Sequence, residues 1–201
     1  MEKEALVAES VPESLIYEEI DGQPIYYRGY REVLAGQKKL EDIMGCSDVQ
    51  GLVVSVLLDH LYHQVDKSKY RIVTNEIGLH VDTGSNLSSD IALYDKALLQ
   101  KTPLKNKYFA IPPRAVIEVD TNAETSNFNA SADYYHLKTE KLFEFGVKEI
   151  IWFFTKTRKV SVAYPQQDWL TKDWSKPVNL LGTYSFSLAE LLEAEGIKLP
   201  S

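Results

Sequence analysis

Glu118 and Asp120 close an apolar run, Ala115-Val116-Ile117-Glu118-Val119-Asp120. Side chains two apart in a strand share a face, so both carboxylates are expected on one side with Val116. Ala115, Ile117 and Val119 then supply a buried face on the other. Two carboxylates this close repel each other unless a cation sits between them. Asp90 opens a second short run, Ile91-Ala92-Leu93-Tyr94, after a polar stretch. If the two strands are neighbours, Asp90 and Glu118 converge on one hard cation. Magnesium asks for only one or two carboxylates, because water and substrate phosphate complete its shell.

Lys138 is the second chemical signal. Tyr134, Leu137, Lys138, Lys141, Leu142 and Phe145 recur at helical spacing, which places a lysine within an apolar stripe. A lysine turned to the core without a partner is costly. Turned to a carboxylate and phosphate site it is satisfied, and there it could position water or stabilise charge developing on phosphorus. Each signal also has an ordinary structural reading. Asp90 could be a turn residue, Lys138 could snorkel to water, and the Glu118–Asp120 pair could lie at an exposed strand end.

The elements that must hold these residues are legible as patterns. Residues 1–14 read as a flexible leader, and 15–201 as a single domain with a small C-terminal helix. Tyr17, Ile20, Ile25 and Tyr27 flank Asp21-Gly22, which predicts a hairpin. Ser47 or Asp48 caps a long helix whose apolar stripe runs through Val49, Leu52, Val53, Val56 and Leu57. Strands are expected over 70–81, 90–95, 114–120, 149–154 and 159–164, and a helix over 133–145 stopped by Gly146. Residues 82–89, 96–113, 121–131 and 165–182 read as connections. Ser187-Leu188-Ala189-Glu190 is a capping box for a short last helix. This mixture predicts an α/β fold, a central mixed sheet flanked by helices.

Composition narrows the partners. The 201 residues include 22 Lys and Arg against 29 Asp and Glu, a net charge of −7. Such a chain is not built to coat DNA by neutralising phosphates. It remains compatible with an enzyme whose divalent cation supplies the local positive charge. The single cysteine, Cys46, excludes an internal disulfide and a cysteine-based zinc cluster. His60 and His63 lack the spacing and the third ligand of a helical zinc site. The apolar stretches are too short to span a bilayer and the N-terminus lacks signal-peptide character, so the expectation is a cytoplasmic protein with no membrane partner. Walker, dinucleotide-binding and nucleophile-elbow motifs are absent.

The chain resembles the Uma-two family of nucleases of the restriction-endonuclease-like, PD-(D/E)XK superfamily. The resemblance runs from Tyr17 to about Ala163. It rests on Tyr17-Glu18-Glu19-Ile20-Asp21-Gly22, on Ser89-Asp90-Ile91-Ala92 with Ser in place of the family's Pro, and on Val116-Ile117-Glu118-Val119. Lys138, Leu142, Gly146-Val147-Lys148-Glu149 and Trp152 complete it. The resemblance implies a restriction-endonuclease-like core and a magnesium- or manganese-dependent endonuclease acting on DNA. Asp90, Glu118 and the Val119 carbonyl would be the metal ligands, with Asp120 as an additional one. Asp120 occupies the place of the superfamily's usual lysine, and the resemblance moves that role to Lys138. Many relatives carry a histidine near the start of the long helix, where this chain has Val49-Gln50. A homodimer is a further expectation, since cutting two strands takes two sites. The acidic balance keeps a second reading open, a nuclease-fold protein that binds nucleic acid or a protein partner without cleaving. In a third, a purely structural module, Asp90 and Glu118 lie far apart.

Overall fold

The computed structural model describes residues 11–128 and 131–199. Residues 1–10 of the expected leader lie outside the described residues. Glu13–Leu15 forms a 3-10 turn that buries Leu15. In chain order follow β1 (Ile16–Ile20), β2 (Gln23–Tyr26), α1 (Tyr30–Leu34), α2 (Glu41–Met44) and α3 (Asp48–Gln64). Then come β3 (Tyr70–Thr74), β4 (Leu79–Asp82), β5 (Ser85–Leu87), β6 (Ile91–Asp95), α4 (Lys96–Lys101) and β7 (Ala115–Val119). The chain continues through α5 (Ser131–Phe145), β8 (Glu149–Phe154), β9 (Lys159–Ala163), β10 (Leu170–Asp173), β11 (Val178–Leu180), β12 (Tyr184–Phe186) and α6 (Leu188–Ala194).

The main sheet has the order β10-β9-β8-β7-β6-β3. Its neighbours are antiparallel except β7 and β8, which run parallel. A parallel pair needs a crossover, and α5 supplies it. The first core joins α3 to one sheet face, with Val53, Leu57 and Leu61 against Ile91, Ile117, Val119 and Phe153. The second core covers the other face with α5 and the smaller sheet β2-β1-β5-β4. There Tyr134, Leu142, Ile20, Leu79 and Leu87 meet Ala92, Val116 and Trp152. β7 is buried along its whole length because it lies between these layers.

Ser47 caps α3, its side chain accepting from the Gln50 amide. The inward stripe of α3 is Gln50, Val53, Val56, Leu57 and Leu61, while Leu52 is exposed. The expected loop at 82–89 contains β5, and the expected loop at 165–182 contains β10 and β11. The connection 96–113 opens with α4, and α1 and α2 occupy a stretch without an earlier assignment. These elements are too short to show a period; β5 is held by pairing with the distant β1 and β10 by pairing with the preceding β9.

Glu149 ties the C-terminal hairpin to the main sheet. It is buried, and its carboxylate accepts from the Leu181 amide at 2.7 Å and the Tyr164 hydroxyl at 3.0 Å. Burial pushes its pKa above the ordinary carboxylate value, and the Leu181 and Tyr164 donors oppose that shift. Between the unfolded and the raised folded value, the native state keeps a proton that the unfolded chain has lost. This group's contribution is therefore fully present below the ordinary carboxylate range and falls as pH rises through the folded value. Glu149→Gln is expected to flatten that fall in urea-unfolding stability measured between about pH 4 and pH 7. Parallel profiles for the two proteins would refute it.

Candidate active site

Strand alternation in β7 sends Ala115, Ile117 and Val119 toward α3, and Val116 and Glu118 toward α5. Lys138, on α5, meets Glu118 there. Its Nζ lies 3.2 Å from Glu118 Oε1. It also donates to Glu18 Oε1 at 2.8 Å, with Glu18 rising from β1. Lys138 is 1% exposed and Glu18 and Glu118 are each 3% exposed. This is an internal ionic cluster, where breaking one partner has consequences that a surface pair would not show.

Asp90 stands just before β6, on the strand beside β7. Its Oδ2 accepts from the Val119 amide at 2.7 Å, and its Oδ1 accepts from Gln50 Nε2 at 3.4 Å. Unlike Glu118, Asp90 is half-buried, so it marks the open side of the cluster. The adjacency on which convergence of Asp90 and Glu118 depends is present, with Ile91 opposite Ile117 in the antiparallel β6–β7 pair.

The electrostatics follow from this burial. Desolvation pushes Glu118 up to about 8, while the adjacent Lys138 pulls it back and Asp90 and Glu18 add to the rise. Desolvation raises Asp90 to about 6, against the Val119 amide, Lys138 and Gln50. Burial alone would lower the Lys138 value, but Glu118 and Glu18 outweigh it, so the ammonium is held well above its usual range. Glu118 Oε1 is buried and accepts no hydrogen bond of good geometry among the described residues, and the Lys138 ammonium 3.2 Å away is its ion-pair partner. In contrast, Glu18 is saturated. Its Oε1 accepts from the Ser88 amide and hydroxyl as well as from Lys138, and its Oε2 accepts from the Tyr134 hydroxyl at 2.7 Å.

The structure therefore brings Asp90, Glu118, Val119 and Lys138 together. It does not bring Asp120 with them, which corrects the expectation that Asp120 shares the face of Glu118. Asp120 has a positive φ of 53° that ends the strand alternation. Its carboxylate turns to the start of the β8–β9 turn, accepting from the Thr155 amide at 2.8 Å and the Thr155 hydroxyl at 2.5 Å. Among the described residues, no group of three or more His, Cys, Asp or Glu side chains stands in position to hold a metal. The donor set is the smaller one of two carboxylates.

Glu18 and Gln50 carry roles that the sequence reading did not assign. A period-two reading of β1 places Glu18 on the same face as Ile20, and both are buried; a charge on an apolar face was the available signal. Gln50 shares the buried α3 stripe with Val53 and Leu57. His136 packs on Trp169 at a centroid distance of 4.1 Å, away from the cluster as the helical spacing implied. Trp174 is buried in the first core.

No family model matches the chain, and no curated protein does. Among solved structures, a proposed nuclease belonging to DUF820 from Anabaena variabilis ATCC 29413 aligns with a TM-score of 0.62. The alignment covers 88% of this chain and 89% of that one, at 14% identity. The chain has a restriction-endonuclease-like core. At this identity the likeness speaks for the fold alone. Among the described residues no helix is long and apolar enough to cross a membrane.

Proposed function

We propose that this chain is a metal-dependent endonuclease of the Uma-two family, hydrolysing phosphodiester bonds in DNA. The observation that carries the reading is the buried cluster of Glu118, Asp90 and Lys138, in which Glu118 Oε1 is ion-paired with the Lys138 ammonium at 3.2 Å and accepts no hydrogen bond among the described residues. Two carboxylates gathered beside one ammonium keep acceptor lone pairs that a hard cation can take. Hard oxygen donors fit magnesium or manganese, and Asp90, Glu118 and the Val119 carbonyl would hold the ion. When bound, it supplies a Lewis acid for the phosphate and acidifies water.

The chain's own residues have separable tasks. The Val119 amide and Gln50 orient the Asp90 carboxylate. Glu18 fixes the Lys138 ammonium at Glu118, where its charge can stabilise the phosphorane-like charge build-up. Half-buried Asp90 marks the side from which substrate approaches. The fold of the Anabaena protein, itself a proposed nuclease, supports the reading.

Cleavage of supercoiled plasmid with and without Mn²⁺ tests it. Nicking is expected from the wild type only with the metal, and loss of nicking in Glu118→Ala. Equal nicking by both proteins would sink the assignment. One observation favours a second reading, a nuclease fold that binds without cleaving. Lys138 already bridges Glu18 and Glu118, leaving Asp90 as the more accessible carboxylate. Plasmid left intact by the wild type in Mn²⁺ would select that reading.

A further inference from the structure

Beside Asp90 lies a hollow of about 500 Å³. It is walled by the end of the β1–β2 hairpin, the start of α3, the exit of β7, the face of α5 and the β8–β9 turn. Gln50 joins it to the candidate active site, because this buried side chain both lines the hollow and donates to Asp90. The volume lies within the range of about 300–1,000 Å³ typical of small-molecule ligand sites.

The lining has two kinds of side chain. Arg28 and Lys156 bring exposed cations to the rim of a chain whose net charge is −7. Arg28 is set in place by its own contacts, with Nη2 donating to the Thr121 carbonyl at 2.5 Å and its amide to the Asn122 carbonyl at 2.6 Å. Tyr135 and Phe154 form an aromatic wall, with ring centroids 5.0 Å apart and both rings half-buried. The carboxylate of the hollow, Asp120, is already engaged by both donors of Thr155.

Cations that follow a backbone and aromatic faces that take bases are the means by which proteins hold single strands. A duplex keeps its bases stacked inside and offers nothing to such a wall. We propose that the hollow between Arg28, Tyr135, Phe154 and Lys156 seats an unpaired stretch of DNA, with Arg28 and Lys156 on its phosphates and a base against the aromatic pair. The inference deepens the endonuclease reading, and rests on it for the strand's continuation to Asp90.

Fluorescence anisotropy of a fluorescein-labelled oligothymidylate, in EDTA over a series of salt concentrations, tests the seat without cleavage. Wild type is expected to bind it more tightly than a duplex of the same length. Each phosphate contact on a single strand contributes about 0.7 to the slope of log K against log salt. Lys156→Gln is expected to flatten the slope by about 0.7, and Arg28→Gln with Lys156→Gln by about 1.4. A slope unchanged in the double variant, a duplex bound as tightly as the single strand, or no binding at low salt would each overturn the proposal. Lys156 is exposed on a turn, so its variant keeps the test independent of folding. Binding with the expected slopes but no plasmid cleavage in Mn²⁺ would remove the enzymatic reading and leave the seat standing. Cleavage of single-stranded DNA with the same KM in wild type and double variant would remove the seat alone.

Discussion

Lys138→Met is expected to destabilise the protein by about 3–5 kcal/mol, the scale for removing one partner from a buried ion pair. Methionine retains most of the lysine stem and its packing beside Trp152, whose ring centroid is 5.6 Å from Nζ. What is lost is the cation between Glu18 and Glu118, both almost fully buried. Glu118 can answer by staying protonated, since desolvation already favours its neutral form. Glu18 accepts at Oε1 from two Ser88 donors and at Oε2 from Tyr134, an arrangement built around an acceptor. Its charge is the one left stranded. Glu18→Gln in the Lys138→Met background is therefore expected to recover a large part of the loss, a coupling that a double-mutant cycle reads directly. For a domain of this size the single variant corresponds to a drop in Tm of about 6–20 °C. Urea unfolding of the four proteins decides it. A Lys138→Met penalty below about 1 kcal/mol would place the cluster with ordinary surface pairs instead.

Glu118→Gln is expected to separate stability from activity. In the metal-free protein it replaces a desolvated carboxyl by a neutral amide of the same shape, while Lys138 keeps its bond to Glu18. Stability in EDTA is then expected to match or exceed that of the wild type. Cleavage is expected to fall by about 10²–10³-fold or more, the scale for losing one preorganised electrostatic group. The wild type should also gain stability from Mn²⁺, by about 2.7 kcal/mol at a hundredfold excess over its Kd, and the variant should lose most of that gain. Thermal unfolding in EDTA and in Mn²⁺, beside the plasmid assay, separates the two roles. A variant that unfolds earlier in EDTA and gains as much from Mn²⁺ as the wild type would make Glu118 a structural residue.

Local patterns made much of this legible. The run Ala115–Val119 shows both its burial and the side on which Glu118 stands, because strand alternation needs only neighbours. Lys138 stood out because helical spacing put a charge among Tyr134 and Leu142, both fully buried in the fold. The cap at Ser47, the hairpin turn at Asp21-Gly22 and the capping box at Ser187 are short-range hydrogen-bonding and φ preferences, and each appears where its residues are. Less was legible where elements are brief. β5 and β10 carry little pattern of their own and exist as strands through their partners.

Asp120 shows where alternation stops being informative. Its spacing from Glu118 is right for a shared face, yet its positive φ turns the chain and Thr155 captures its carboxylate from 35 residues away. Glu18 shows the converse. It lies 120 residues from Lys138 in the chain, and the contact depends on β1 packing against α5. Sequence alone determined the α/β class, the buried strand with Glu118 at its end and the lysine on an apolar helix face, because periodicity and capping act within a few residues. Tertiary structure decided which carboxylates surround that lysine, how deeply each is buried and which cations border the neighbouring hollow. Those properties come from burial and long-range pairing, where desolvation and charge act through space between segments that no local period connects.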